Sequence, residues 1–151
     1  MSKPDPQEIA SAAARVMYAT DHAARTLGIH VVDIAPGRSV LRMTIRATMI
    51  NGLNIGHGGM SFTLADTALA YASNSYNQRA VATVTQISFL KPAFLGDVLT
   101  ATAEEVAVSG RTGVYDVHVR NQKGEVTAAF RGQTQTIKGK LVDDLPVTRE
   151  M

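Results

Sequence analysis

The 151-residue chain has no cysteine. That excludes disulfides, thiolate metal sites, iron–sulfur clusters and cysteine nucleophiles, and it fits an intracellular location. Charge of one sign is scarce as well. The formal net charge is +2 and no run of five like charges occurs, so nothing marks a nucleic-acid-binding stripe. Long hydrophobic runs are also missing. The opening "MSKPDPQE" is polar and carries no apolar signal-peptide core. The longest mainly apolar stretch, around Met60 to Ala72, is broken by Asp66. It falls short of the ~20 residues that a bilayer span needs. These absences lead to the expectation of a soluble, cytoplasmic protein with neither a membrane nor a nucleic-acid partner.

What remains is the mixture of a globular domain, 45% hydrophobic and 19% charged. The length suits one domain over 1–151. Apolar positions from Ile9 to Leu27 fall near one face of a helix, expected over about Asp5 to Leu27 and stopped by Gly28. "IHVVDIA" and "SVLRMTIRA" flank the turn Pro36 to Arg38 and predict a hairpin. From Gly59 to about Tyr76 the residues favour helix and are apolar nearly all round, the mark of a buried helix. Four strands are expected after it: "AVATVTQISFL", "DVLTATAEEVAV", "TGVYDVHVRN" and "EVTAAFRGQTQTIK". Short turns join the last three as an antiparallel meander. From Lys140 onward no period is evident and fraying is expected. The sum is an α+β fold, an antiparallel sheet covering a central helix.

The candidate chemistry gathers in "NGLNIGHGGMSFTLADTALAYASNS", Asn51 to Ser75. Asp66 is a lone acid among apolar neighbours. An ionised carboxylate there is costly unless paired, and burial would raise its pKa, as in many catalytic acids and bases. The plainer alternative has Asp66 facing a solvent-lined groove or capping a neighbouring backbone. His57-Gly58-Gly59 stands where a helix begins, and free N–H groups at such an end hold anions or a developing oxyanion. The alternative is a turn whose glycines only satisfy geometry. Asn51 orients the loop or a water, or is an ordinary turn residue. Thr83 and Thr85 share one face of their strand by alternation. Lys91, Arg111 and Arg120 sit near strand ends, where they bind ligand phosphates or are merely solvated.

Several motifs are absent. No Walker loop, no GxGxxG and no GxSxG elbow occurs, so Ser61 lies near His57 in sequence without the marks of a hydrolase triad. The histidines show no i,i+4 spacing, and no metal site or cofactor is expected.

Taken together, Asn51, His57-Gly58-Gly59, Asp66 nine positions after His57, and Asn74-Ser75 resemble the signature of PaaI-like acyl-CoA thioesterases of the hotdog fold. "ISFLKPAFLGD" and "GRTGVYDVHV" resemble the strand, turn and hairpin that follow in that family. The similarity runs from about residue 15 to 137. The resemblance implies a sheet wrapped around the Gly59 to Tyr76 helix. It implies a dimer with joined sheets, paired into a homotetramer, and sites built across the subunit boundary. It implies Asp66 as general base or nucleophile and the Gly58 amide as oxyanion donor. His57 and Asn51 would shape or polarise the site, Thr83 would help place water, and Lys91 or Arg111 would reach coenzyme A phosphates. The implied activity is hydrolysis of aryl-acetyl or similar short-to-medium acyl-CoA thioesters. Close relatives often have Cys or another residue where Gly56 stands, and often His where Leu53 stands; Leu53 removes a polar contact near the acyl group, which weighs against a ring-hydroxylated phenylacetyl substrate in particular. A non-catalytic acyl-CoA-binding module is the alternative. An enoyl-CoA hydratase fits less well, because such enzymes place Asp before His and here His57 precedes Asp66.

Overall fold

The helix expected from Asp5 to Leu27 is two helices, α1 at Pro6–Thr20 and α2 at His22–Thr26. The computed structural model describes residues 2–149. Met1, Glu150 and Met151 lie outside the described residues, and with them the two ends of the expected 1–151 domain. Asp5 caps α1 by accepting from Gln7 N at 3.3 Å, with Pro6 in the first turn. Asp21 makes the break. One carboxylate oxygen accepts from Ala24 N at 3.1 Å and starts α2, and the other accepts from the Tyr71 hydroxyl at 3.1 Å. Periodicity ran through this point because a cap changes the backbone, not the apolar face. Gly28 ends the segment in the left-handed conformation, φ +69°, with Ile29 N reaching Ala24 O at 2.8 Å.

Six strands follow among the described residues: β1 His30–Ala35, β2 Arg38–Thr44, β3 Ala80–Phe89, β4 Val98–Ser109, β5 Thr112–Arg120 and β6 Val126–Thr136. They form one sheet in the order β1-β2-β4-β5-β6-β3, with every pairing antiparallel. The meander β4-β5-β6 is as the short turns predict. The strand β3 goes to the far edge beside β6, which no local turn signal encodes.

Between β2 and β3 lies α3, Gly58–Asn74. It packs against all six strands. Register lines up the sheet's inner face in rows. Ser39, Ala103, Val117, Phe130 and Ile87 are successive partners, as are Leu41, Ala101, Val119, Ala128 and Phe89. Small residues let the helix approach closely. Ala65, Ala68 and Ala72 are buried, and the Ser39 hydroxyl donates to Ala68 O at 2.6 Å. A Cβ on Gly132 would run into the Leu69 side chain.

The tail is anchored, where fraying was expected. Asn77, fully buried and at φ 61°, accepts from Val142 N at 2.8 Å and donates to Leu145 O at 2.9 Å. Arg149 pairs with Glu105 and lies 3.9 Å over the Tyr76 ring. The tail partners of Asn77 are more than sixty positions away in sequence, so local pattern could not reveal them.

Candidate active site

The loop before α3 is held by its own polar residues. Asn51 Oδ1 accepts from Leu53 N at 2.9 Å and Ile55 N at 3.3 Å, and Asn54 takes φ 62°. Gly56 N donates to Ala93 O at 2.7 Å, tying the loop to the β3–β4 connection. A Cβ on Gly56 would stand 3.2 Å from that same oxygen. Asn51 thus serves as both turn residue and groove residue.

His57 is the N-cap of α3, its Nδ1 accepting from Gly59 N at 2.9 Å. To accept there, Nδ1 carries no proton, so a neutral ring holds its proton on Nε2. Met60 N donates to His57 O at 2.9 Å. The Gly58 N–H has no such partner among the described residues, and it is one of the amides that a helix start leaves open. The positive end of the helix dipole adds to its pull on negative charge.

A groove of about 450 Å³ opens beside this amide. One wall carries Asn51, Ile55, Gly58 and Ser61, and the other carries Phe89, Leu90, Lys91, Pro92 and Ala93. The lining is mostly apolar. Phe89 ends the inward row of the edge strand, and its ring lies on Gly58, with Cζ 2.9 Å from the place a Cβ would occupy. Lys91 pairs with Glu125 at the groove, and that contact holds the Glu125 carboxyl below its ordinary pKa.

Asp66 stands apart. It lies eight residues beyond Gly58 on the same helix, about 12 Å along the axis. A carbonyl held at its own chain's Gly58 amide is out of its reach. The side chain is half-buried on the helix stripe that turns away from the sheet, near Thr63, Thr67 and Ala70. Burial pushes its carboxyl above the usual Asp value. It has no hydrogen-bond or ion-pair partner among the described residues.

Two expected residues are placed elsewhere. Thr83 sits in a bulge of β3 between Ala82 and Val84. The alternation slips there, so Thr85 pairs with inward Gly132 while Thr83 donates to Gln133 O at 3.2 Å. The two threonines therefore do not share a face as strict alternation predicts. Arg111 lies at the β4–β5 turn, where its carbonyl accepts from Thr136 N. Thr127 lines the groove, and Thr112 pairs with Gln135. Eight strand residues separate those points on β6, about 26 Å. Arg111 is thus not brought to the groove of its own chain. Ser61 and Phe89 line the groove without having been singled out for it. "ISFLKPAFLGD" held the signal for Phe89, but only packing against Gly58 shows its position.

The sequence model of the thioesterase superfamily matches residues 53–128, which span the loop, α3 and the groove wall. The acyl-coenzyme A thioesterase PaaI of Escherichia coli K12 is 44% identical over 131 residues, covering 87% of this chain and 94% of that protein. The chain belongs to the thioesterase superfamily. The structure of the E. coli PaaI protein from the phenylacetic acid degradation operon superposes with a TM-score of 0.88 at 43% identity, covering 90% of this chain and 99% of that one. The thioesterase fold here is therefore the hotdog fold, with α3 as its central helix. A Streptococcus mutans UA159 protein bound to acetyl CoA superposes at 0.70 with 28% identity, over 74% of this chain and 90% of that one. Among the described residues no helix is long and apolar enough to cross a membrane.

Proposed function

We propose that this thioesterase hydrolyses aryl-acetyl-CoA or similar short-to-medium acyl-CoA thioesters to the free acid and coenzyme A. The observation that carries the reading is the open Gly58 N–H at the start of α3, facing an apolar groove of acyl-group size. A thioester carbonyl gains negative charge as it is attacked, and a fixed amide at a helix N-terminus stabilises that charge without reorganising. The substrate class follows the E. coli relative's name and the acetyl CoA bound to the streptococcal protein.

The acid comes from a second subunit in this reading. About 12 Å of helix separates Gly58 from its own Asp66, while β3 lies at the sheet edge with one side unpaired. Val81 and Val84 on that edge are exposed. An antiparallel, two-fold pairing of β3 with β3 satisfies the edge and brings the partner's α3 alongside. Asp66 of the second subunit then activates water or attacks directly. His57 and Asn51 shape the loop, and Thr83, on the pairing edge, is available to hold water for the second site. Lys91 meets coenzyme A phosphates at the groove, and Arg111 serves the groove of another subunit. A single hotdog domain over 1–151, a homotetramer built from such dimers, and work in the cytoplasm, where acyl-CoA esters arise, complete the reading.

The test is thiol release from a panel of aryl and straight-chain acyl-CoA esters, with Asp66→Asn beside the wild type. Turnover in the wild type and its near-complete loss in the variant are expected. Tight acyl-CoA binding without thiol release would point to a binding module instead.

A further inference from the structure

Ser61 lies three residues beyond Gly58 on α3, and the two share one groove wall. It is only 7% exposed. Thr63 and Thr67 on the same helix turn their hydroxyls back onto carbonyls, Gly59 O at 2.9 Å and Thr63 O at 2.6 Å. The Ser61 hydroxyl makes no such bond and has no hydrogen-bond partner among the described residues. No polar side-chain atom there is both sealed off and unpaired, so this hydroxyl opens into the groove.

Direction sharpens the point. Helical side chains lean toward the N-terminus, and positions three apart stack on one face. Ser61 therefore leans back over the turn that begins at Gly58. The neighbouring amides are taken, Gly59 N by His57 Nδ1 and Met60 N by His57 O. Two unpaired donors, one amide and one hydroxyl, are left on the same face of an otherwise mainly apolar groove.

We propose that Ser61 is a second oxyanion donor and a catalytic residue of this thioesterase. The inference rests on the thioesterase reading of the same groove. In the water route, the water oxygen bonds to the acyl carbon and its proton passes to the carboxylate of Asp66 of the second subunit. The carbonyl π electrons move onto oxygen, which accepts hydrogen bonds from Gly58 N–H and Ser61 Oγ–H. Ser61 keeps its proton throughout. Collapse re-forms the carbonyl, breaks the carbon–sulfur bond and returns the proton to the departing thiolate, leaving acid and thiol.

Ser61→Ala and Ser61→Cys, each in the full chain, test this against straight-chain, aryl and 3-hydroxyacyl-CoA esters. Alanine removes the hydroxyl. Cysteine fills its place with a poor donor. Loss of an oxyanion donor typically costs about 10²–10³ in kcat. Both variants are expected to lose at least ~10-fold in kcat on every ester, with little change in KM and an unchanged thermal midpoint. Wild-type kcat in the cysteine variant makes Ser61 a space-filling residue and overturns the role. A loss confined to 3-hydroxyacyl esters overturns it too, since Ser61 would then read the acyl group. Variants that match a working wild type on all esters sink this inference alone. A wild type that releases no thiol from any ester sinks the reading of the site and this inference with it.

Discussion

The Phe89 ring rests on Gly58, its Cζ 2.9 Å from the position a Cβ would take. The backbone of Gly58 is ordinary helix start, so no left-handed requirement demands glycine there. The ring does. Gly58→Ala drives a methyl into Phe89 and closes the groove at the donor amide. A kcat loss of about 10²-fold is expected, the size of a lost oxyanion contact. Phe89→Ala in the same chain makes room for the methyl, and part of the activity returns. A double-mutant cycle on kcat/KM checks the coupling. Simple additivity would separate the two residues.

Asp66 carries a pH signature. Burial raises its folded pKa above the ordinary value of 3.8. The native state therefore holds the proton more tightly than the unfolded chain. Stability from this group is fully present below the unfolded pKa and is lost as pH rises through the folded one. Asp66→Asn removes the penalty of the buried charge. Its thermal midpoint should exceed that of the wild type at pH 7, and the gap should vanish below pH 3.8. Thiol release at pH 7 should collapse in the same variant. A stable but inactive protein is the expected trade between stability and activity. Equal midpoints at both pH values would show that the carboxylate is solvated after all.

Subunit mixing tests where the acid comes from. Asp66→Asn chains supply intact Gly58, and Gly58→Ala chains supply intact Asp66. Unfolded together and refolded, they form hybrid dimers in which one site has both intact groups and the other has neither. Activity well above either parent is expected, up to about a quarter of the wild type from random pairing of isologous dimers. Recovery absent at verified hybrid formation would return both groups to one chain.

Asn77 pins the C-terminal tail. Its carboxamide meets Leu141 N, Val142 N, Val142 O and Leu145 O at 2.8–3.1 Å. Asn77→Gly keeps the positive φ of 61° free of strain and deletes those bonds. Limited proteolysis should then cut rapidly within 140–149 while the sheet resists. Asn77→Ala adds the cost of a left-handed alanine, about 1 kcal/mol, and should melt lower than the glycine variant. Equal cleavage rates in wild type and Asn77→Gly would mean that other contacts hold the tail.

Most of the fold was legible in the sequence because most of it is periodic. The apolar run of α3, the β1–β2 hairpin and the β4-β5-β6 meander follow from side-chain period and turn chemistry, both local properties. The break at Asp21 escaped, since Asp21 caps one helix and receives Tyr71 from another fifty positions away. The bulge at Thr83 escaped for a related reason. A one-residue slip in pairing is decided by the partner strand, and strict alternation cannot express it.

At the site, the residue types in the Asn51 to Ser75 stretch determined which chemistry is available. A helix start leaves amides without intrahelical partners, and an acid inside an apolar helix must pay in desolvation or find a use. Those constraints act over a few residues and travel with the sequence. Tertiary structure alone decided which groups meet. It laid Phe89 from the far edge strand against Gly58, carried Arg111 to the other end of β6, and turned the Ser61 hydroxyl to the groove. It also left Asp66 about 12 Å along the helix from the Gly58 amide of its own chain. A helix cannot bend back on itself within two turns, and that rigidity keeps Asp66 from a carbonyl held at the Gly58 amide of its own chain.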